Sequence, residues 1–171
     1  MALSPAETAA RIADGHLVID ARPSPRFGAG HLPGAINVHL SSPEYEQRVG
    51  WVAPAEAPLV LALDEDGEAP RAMRALAFVG LDARVSGFLA GGVEAWVDSG
   101  RALETLEQID VQRLQARLAG DPGLQVLDVR ERQEWLAGHI AGSRQLSYKH
   151  LAAEAGALDV PQGTTLAVIC Q

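Results

Sequence analysis

The stretch His16-Leu17-Val18-Ile19-Asp20-Ala21-Arg22, continued by Phe27-Gly28-Ala29-Gly30-His31-Leu32-Pro33-Gly34-Ala35-Ile36-Asn37-Val38, decides the fold because the chain repeats it. The second copy reads Gln125-Val126-Leu127-Asp128-Val129-Arg130, then Trp135-Leu136-Ala137-Gly138-His139-Ile140-Ala141-Gly142. Asp20 to Asp128, Arg22 to Arg130, Phe27 to Trp135, Gly30 to Gly138, His31 to His139 and Gly34 to Gly142 are all steps of 108. A period of that length is too long for a solenoid and suits tandem domains.

Around these anchors the pattern alternates between short apolar runs and helical stretches. The spacing predicts a helix over 5–14 with Gly15 as its stop, and another over 111–118 with Gly120 as its stop. Strands are predicted over 17–19 and 126–127, with a further apolar stretch at 35–38. The first copy continues through a strand over 59–63, a helix over 69–79, a strand over 83–86 and a helix over 92–99. Pro70 is tolerated in the first turn of its helix. Strands alternating with helices imply an α/β fold, a mostly parallel sheet with helices on both faces. The linker is expected near residues 100–107. The second copy runs only to its third strand, Leu166–Ile169, which reads as buried and is closed by the sole cysteine, Cys170. We expect the natural chain to be longer, or another domain or chain to complete the second copy, because an uncovered half-sheet is poorly stable.

The 171 residues carry a formal charge of −8 and 47% hydrophobic residues. No Lys/Arg run is present to form the basic patch that nucleic-acid binders use, and that class is set aside. The apolar runs are too short to span a bilayer. Met1-Ala2-Leu3-Ser4-Pro5-Ala6-Glu7 lacks the basic and apolar regions of a signal peptide. One cysteine excludes an intrachain disulfide. A cytoplasmic protein with no nucleic-acid or membrane partner is expected.

Asp-x-Arg, an aromatic residue, Gly-His-[Leu/Ile]-x-Gly-[Ala/Ser] and a strand ending in cysteine resemble the rhodanese family of sulfurtransferases. Gly91-Gly92-Val93-Glu94-Ala95-Trp96 is similar to that family's closing Gly-Gly-x-x-x-Trp element. The resemblance implies tandem rhodanese-like domains, a complete one over 1–104 and the first half of a second over 108–171. It implies a cysteine that accepts a sulfane sulfur as a persulfide, from thiosulfate or another donor. The sulfur then passes to cyanide, a protein thiol or a small thiol. Neither a metal nor an organic cofactor is implied. Cys170 takes the catalytic role under this reading, and Arg130 a substrate-binding one; residues 1–171 alone are expected to be inactive, because the amide loop that follows the cysteine in the family is not among them. Physics agrees with the family's cradle of amides after the cysteine: helix N-termini carry unpaired N–H groups that stabilise an anion and favour a thiolate. In the first copy, Asp64-Glu65-Asp66-Gly67 stands where Cys-x-x-Gly is expected, once a two-residue length change is allowed. A carboxylate cannot carry a sulfane sulfur, so that copy is expected to be silent. We further expect the Asp64 anion to sit on the helix N-terminus, where a persulfide would lie.

The remaining candidates have plainer readings. Arg22 is read as a structural tie, and Arg130 leans to the same role over that of an anchor for an anionic donor. Asp20 and Asp128 brace their turns. His31 and His139 are turn-stabilising hydrogen bonders, and no histidine spacing supports a metal site. The acidic turn fails as a calcium loop, since Ala69 falls where glycine is required. Trp51, Trp96 and Trp135 are read as packing residues, and Glu44-Tyr45-Glu46 as a helix surface. Two rival functions stand beside sulfur transfer. One is a non-catalytic binding or regulatory module. The other is a rhodanese-fold phosphatase or arsenate reductase, which the loop after the cysteine would distinguish.

Overall fold

The computed structural model describes residues 1–170, which divide into two compact units, Met1–Gln108 and Ile109–Gln171. The first contains β1 (Ala2–Leu3), α1 (Pro5–Ala13), β2 (Leu17–Asp20), α2 (Ser24–Ala29), β3 (Ile36–Asn37) and α3 (Tyr45–Val52). It continues through β4 (Leu59–Ala62), α4 (Ala69–Ala77), β5 (Val85–Leu89) and α5 (Gly92–Asp98). The five strands form a parallel sheet in the order β1-β5-β4-β2-β3. β4 lies at its centre and is buried along its whole length, as a strand covered on both faces should be. Leu59, Leu61 and Leu63 pack with Tyr45, Val49, Ala72 and Leu76 of α3 and α4. Val18, Ala62 and Leu89 pack on the opposite face with Val93 and Trp96 of α5 and with Ala9 and Ile12 of α1.

The second unit contains α6 (Val111–Gly120), β6 (Gln125–Asp128), α7 (Arg132–Ala137), β7 (Arg144–Gln145), α8 (Leu151–Glu154) and β8 (Leu166–Ile169). Its three parallel strands run β7-β6-β8. Leu114 and Leu118 of α6 pack with Val126 on one face, while Leu151 packs with Leu127 and Leu146 on the other.

Several expectations change. β8 is not buried: Val168 is 58% exposed and Cys170 is exposed. Among the described residues β8 pairs only with β6, whereas β4 has a strand on each side. Residues 82–84 form a 3₁₀ turn, so β5 starts later than predicted, at Val85. Tyr45 belongs to the core, and Trp51 is 55% exposed. The segment expected as a linker is strapped to the first unit. His31 and Glu104 exchange both backbone bonds at 2.9 Å, Leu106 N donates to Gly28 O, and Gln108 Nε2 donates to Ser24 O. The strap needs bare backbone beneath it, since a Cβ on Gly28 would come within 2.7 Å of Leu106 O.

Candidate active site

The repeated motif builds the same clamp twice, at the carboxyl end of the strand that carries it. In the first unit Arg22 donates Nε and Nη2 to the Asp20 carboxylate, and Nη2 also to Gly30 O at 2.7 Å. Asn37 Nδ2 donates to Asp20 O and Arg22 O, which fixes β3 against the turn. His31 stacks on Phe27 with ring centroids 3.8 Å apart, and its Nδ1 meets Phe27 O at 2.9 Å. In the second unit Arg130 donates to Asp128 and to Gly138 O, Gln145 Nε2 donates to Arg130 O, and His139 stacks on Trp135 at 3.7 Å. An aromatic residue four positions before a histidine therefore has a local purpose: the ring is a platform and its carbonyl a hydrogen-bond partner. Both histidines are turn stabilisers, as expected.

These bonds also fix the electrostatics. The hydrogen bond from Arg130 holds the Asp128 carboxyl below the usual carboxylate range, against the opposing effect of burial. The Asp128 carboxylate in turn raises the pKa of Arg130. Arg130 spends Nε and Nη2 on the clamp, and Nη1 has no partner among the described residues. Its side chain is 19% exposed, against 7% for Arg22. Glu131, next along the chain, is also held below its usual range, first by a hydrogen bond from Ser147 Oγ and then by Lys149, whose Nζ lies 3.1 Å away.

Cys170 follows β8 directly, beside the Asp128 end of β6, where Val129 N donates to Ile169 O. The ladder changes its correspondence with the first unit. Asp20 faces Ala62 and Asp128 faces Ile169, so the length change between the copies is one residue, not two. In this register Cys170 takes the place of Leu63, and the place of Asp64 falls on Gln171, outside the described residues.

The Asp64 loop of the first unit is saturated by its own charges. Asp64 Oδ1 accepts from Arg26 Nη1 at 2.8 Å, Asp64 N donates to Glu68 Oε2, and Asp66 Oδ1 accepts from Gly91 N at 2.9 Å. Among the described residues no loop amide donates to the Asp64 carboxylate. The expectation that it would lie on the helix N-terminus is therefore corrected: Arg26 of α2 draws it aside. Gly91 and Gly92 both adopt positive φ, 71° and 64°, and a Cβ on Gly92 would meet Leu63 O at 3.3 Å. The Gly-Gly-x-x-x-Trp element thus brings α5 close to the loop, while Trp96 is buried and donates Nε1 to Ala102 O.

Sequence reasoning missed Arg26, Glu68 and Glu104, whose partners lie far along the chain or in irregular segments. Among the described residues no group of three His, Cys, Asp or Glu side chains is placed to hold a metal ion. None of their helices is long and apolar enough to cross a membrane.

The family model of the Rhodanese-like domain matches the chain twice, over residues 4–99 and 110–171. The Alr3790 protein from Anabaena superposes with a TM-score of 0.53 at 21% identity, covering 68% of this chain and 90% of that one. EanB, solved as a persulfide with ergothioneine, gives a TM-score of 0.52 at 17% identity, covering 86% of this chain and 41% of its own. Thiosulfate sulfurtransferase from Pseudomonas aeruginosa gives 0.48 at 17% identity; 99% of this chain is covered, and it spans 38% of that protein. No curated protein matches the chain.

Proposed function

This chain belongs to the rhodanese-like domain family, and from that premise we propose that it moves sulfane sulfur through a persulfide on Cys170. The observation that carries the reading is the exposed thiol at the carboxyl end of a parallel strand, beside the Asp128–Arg130 clamp. Ligands of open α/β sheets gather at that edge.

The proposed chemistry has two displacements. The Cys170 thiolate attacks the outer sulfur of thiosulfate. A Cys–S bond forms, the sulfur–sulfur bond of the donor breaks, and sulfite leaves with the electron pair. Cyanide or an acceptor thiolate then attacks the outer sulfur of the persulfide, and the Cys170 thiolate departs. Each step needs a good nucleophile that is also a good leaving group, which a thiolate supplies. Arg130 is the proposed anchor for the anionic donor, through the Nη1 that the clamp does not use. The proposal includes a cytoplasmic setting and two domains, over 1–104 and 108–171. The first of these has Leu63 in the register place of Cys170 and no cysteine of its own, which leaves it silent.

Incubation with thiosulfate, followed by intact-mass spectrometry, tests the proposal. The expected result is a reductant-sensitive gain of one sulfur that Cys170→Ser abolishes and Arg130→Ala weakens. An unchanged mass both for these residues and for a chain in which the second copy is completed, or a gain that survives Cys170→Ser, overturns it. A second reading concerns residues 1–104 alone, as a non-catalytic binding module. It is favoured by the Asp64–Arg26 pair, which neutralises that carboxylate without a ligand.

A further inference from the structure

A short set of groups holds the strap of the first unit. Glu104 exchanges both backbone bonds with His31 at 2.9 Å. Its Oε2 accepts from Gly34 N at 3.0 Å and lies 3.8 Å from His31 Nε2. Leu103 lies on Gly30, where a Cβ would come within 2.7 Å of its Cδ1, and joins the cluster that contains Leu32. Gly30, His31, Leu32 and Gly34 are thus a receptor for a leucine followed by a glutamate.

The step of 108 carries this receptor to Gly138, His139, Ile140 and Gly142. Its geometry is kept. Gly34 and Gly142 both have positive φ, 71° and 81°. Ala35 N donates to Leu32 O, and Ser143 N to Ile140 O. The occupant is what differs. Among the described residues the backbone N–H and C=O of His139 and the N–H of Gly142 have no hydrogen-bond partner. Nothing lies within 4 Å of where a Cβ on Gly138 would stand. Open N–H and C=O groups on an extended stretch are a template for another chain.

The charges along this stretch balance: Asp128, Glu131 and Glu134 against Arg130, Arg132 and Arg144. Glu131 is engaged by Ser147 and Lys149, and Glu134 by the backbone of Glu131. Selection of a carboxylate therefore rests on Gly142 N and the His139 ring, as it rests on Gly34 N and His31 in the first unit. Leu136 replaces Gly28, over which Leu106 O runs in the first unit. A side chain there turns a guest away after its glutamate.

We propose that the 138–142 turn docks an extended segment of a partner protein in which leucine is followed directly by glutamate. The guest's glutamate pairs its backbone with His139 and its carboxylate with Gly142 N, while its leucine lies on Gly138 beside Ile140. Gly138 O also accepts from Arg130 Nη2 at 2.9 Å, so the guest covers the second clamp as the strap covers the first. This proposal does not depend on sulfur transfer at Cys170.

The probe is the hexapeptide acetyl-Gly-Arg-Ala-Leu-Glu-Thr-amide, the strap's own sequence stopped before Leu106. It is titrated into the full chain while the amides of His139, Gly142 and His31 are followed by NMR. Saturable shifts of His139 and Gly142 are expected with His31 unmoved, since the chain's own strap already holds His31. A peptide with glutamine in place of glutamate should bind about fivefold more weakly, having lost a charge-assisted hydrogen bond. Gly138→Val puts a branched side chain where the leucine would lie and should abolish the shifts. The folded chain has room for it, and the extended φ of 164° suits any residue, so the circular dichroism spectrum should not change. No saturable shift, equal movement of His31, equal affinity for the glutamine peptide, or full binding by a folded Gly138→Val overturns the proposal. Movement of the His139 amide with protein concentration alone would make a second copy the occupant, and overturns it too.

Discussion

Asp20–Arg22 and Asp128–Arg130 make the same bonds with nearly the same lengths, yet they differ in what lies over them. The Nη2–Oδ2 distance is 2.6 Å in both. In the first unit His31 is 6% exposed and a strap of later sequence lies across the turn. In the second, Gly138 and His139 are exposed, and Leu136, at the position matching Gly28, is 62% exposed. The geometry of the clamp is therefore local, written in residues at most 17 apart. Its burial comes from elsewhere, from Leu103, Glu104 and Leu106 and from the glycines that admit them. One motif thus yields two environments.

The largest effect that separates the copies should come from removing the aspartates. Asp20→Ala leaves a buried guanidinium unpaired, and such a loss costs about 3–5 kcal/mol. Asp128→Ala should cost less, since Arg130 can turn to water. Residue-resolved hydrogen exchange of β2 and β6 reads the two units separately, and equal losses would break the comparison. Acid sharpens it. The folded pKa of Asp128 is depressed, so its stabilisation is fully present above the unfolded value of roughly 4 and is lost as pH falls through the folded value. A carboxyl carbon titration of Asp128 at or above the ordinary value would contradict the Arg130 hydrogen bond as its cause.

A middle-sized effect is expected at the strap. Gly28→Ala drives a Cβ into Leu106 O and should cost roughly 1–3 kcal/mol, with faster exchange of the Leu106 amide. Leu136→Ala, at the matching place in the second unit, should stay within about 0.5 kcal/mol. The smallest effect belongs to Asp64→Asn. It breaks an ion pair whose Arg26 side chain is 62% exposed, and the loss should not exceed about 1 kcal/mol in thermal unfolding. A rise in melting temperature would show that the acidic loop is under net repulsion.

The repeat was legible because its residues act on each other over short spans, so the spacing that serves the clamp is preserved at one offset. The central strand β4 was legible for a similar reason: a run buried on both faces is continuously apolar. β1 was missed because two residues, Ala2 and Leu3, carry no periodicity. α2 was missed because Pro25 and Gly28 read as breakers; its first turn in fact tolerates the proline. The Arg26–Asp64 pair spans 38 positions, and no local pattern couples them. The site register was misjudged by one residue because the lengths of the intervening loops do not say which strand residues face each other. Pairing does, and a single step moves a side chain to the other face of the sheet.

The stacked ring of Trp135 gives the second unit an optical signal that the first unit's turn lacks. Phe27, which takes the same place over His31, is nearly dark where indole emits. The stack of Trp135 on His139, with ring centroids 3.7 Å apart, ties the surroundings of that indole to the closed turn. Trp51 and Trp96 of the first unit emit as well, so a variant that keeps Trp135 as its one indole lets the second copy of the clamp be watched by its own light.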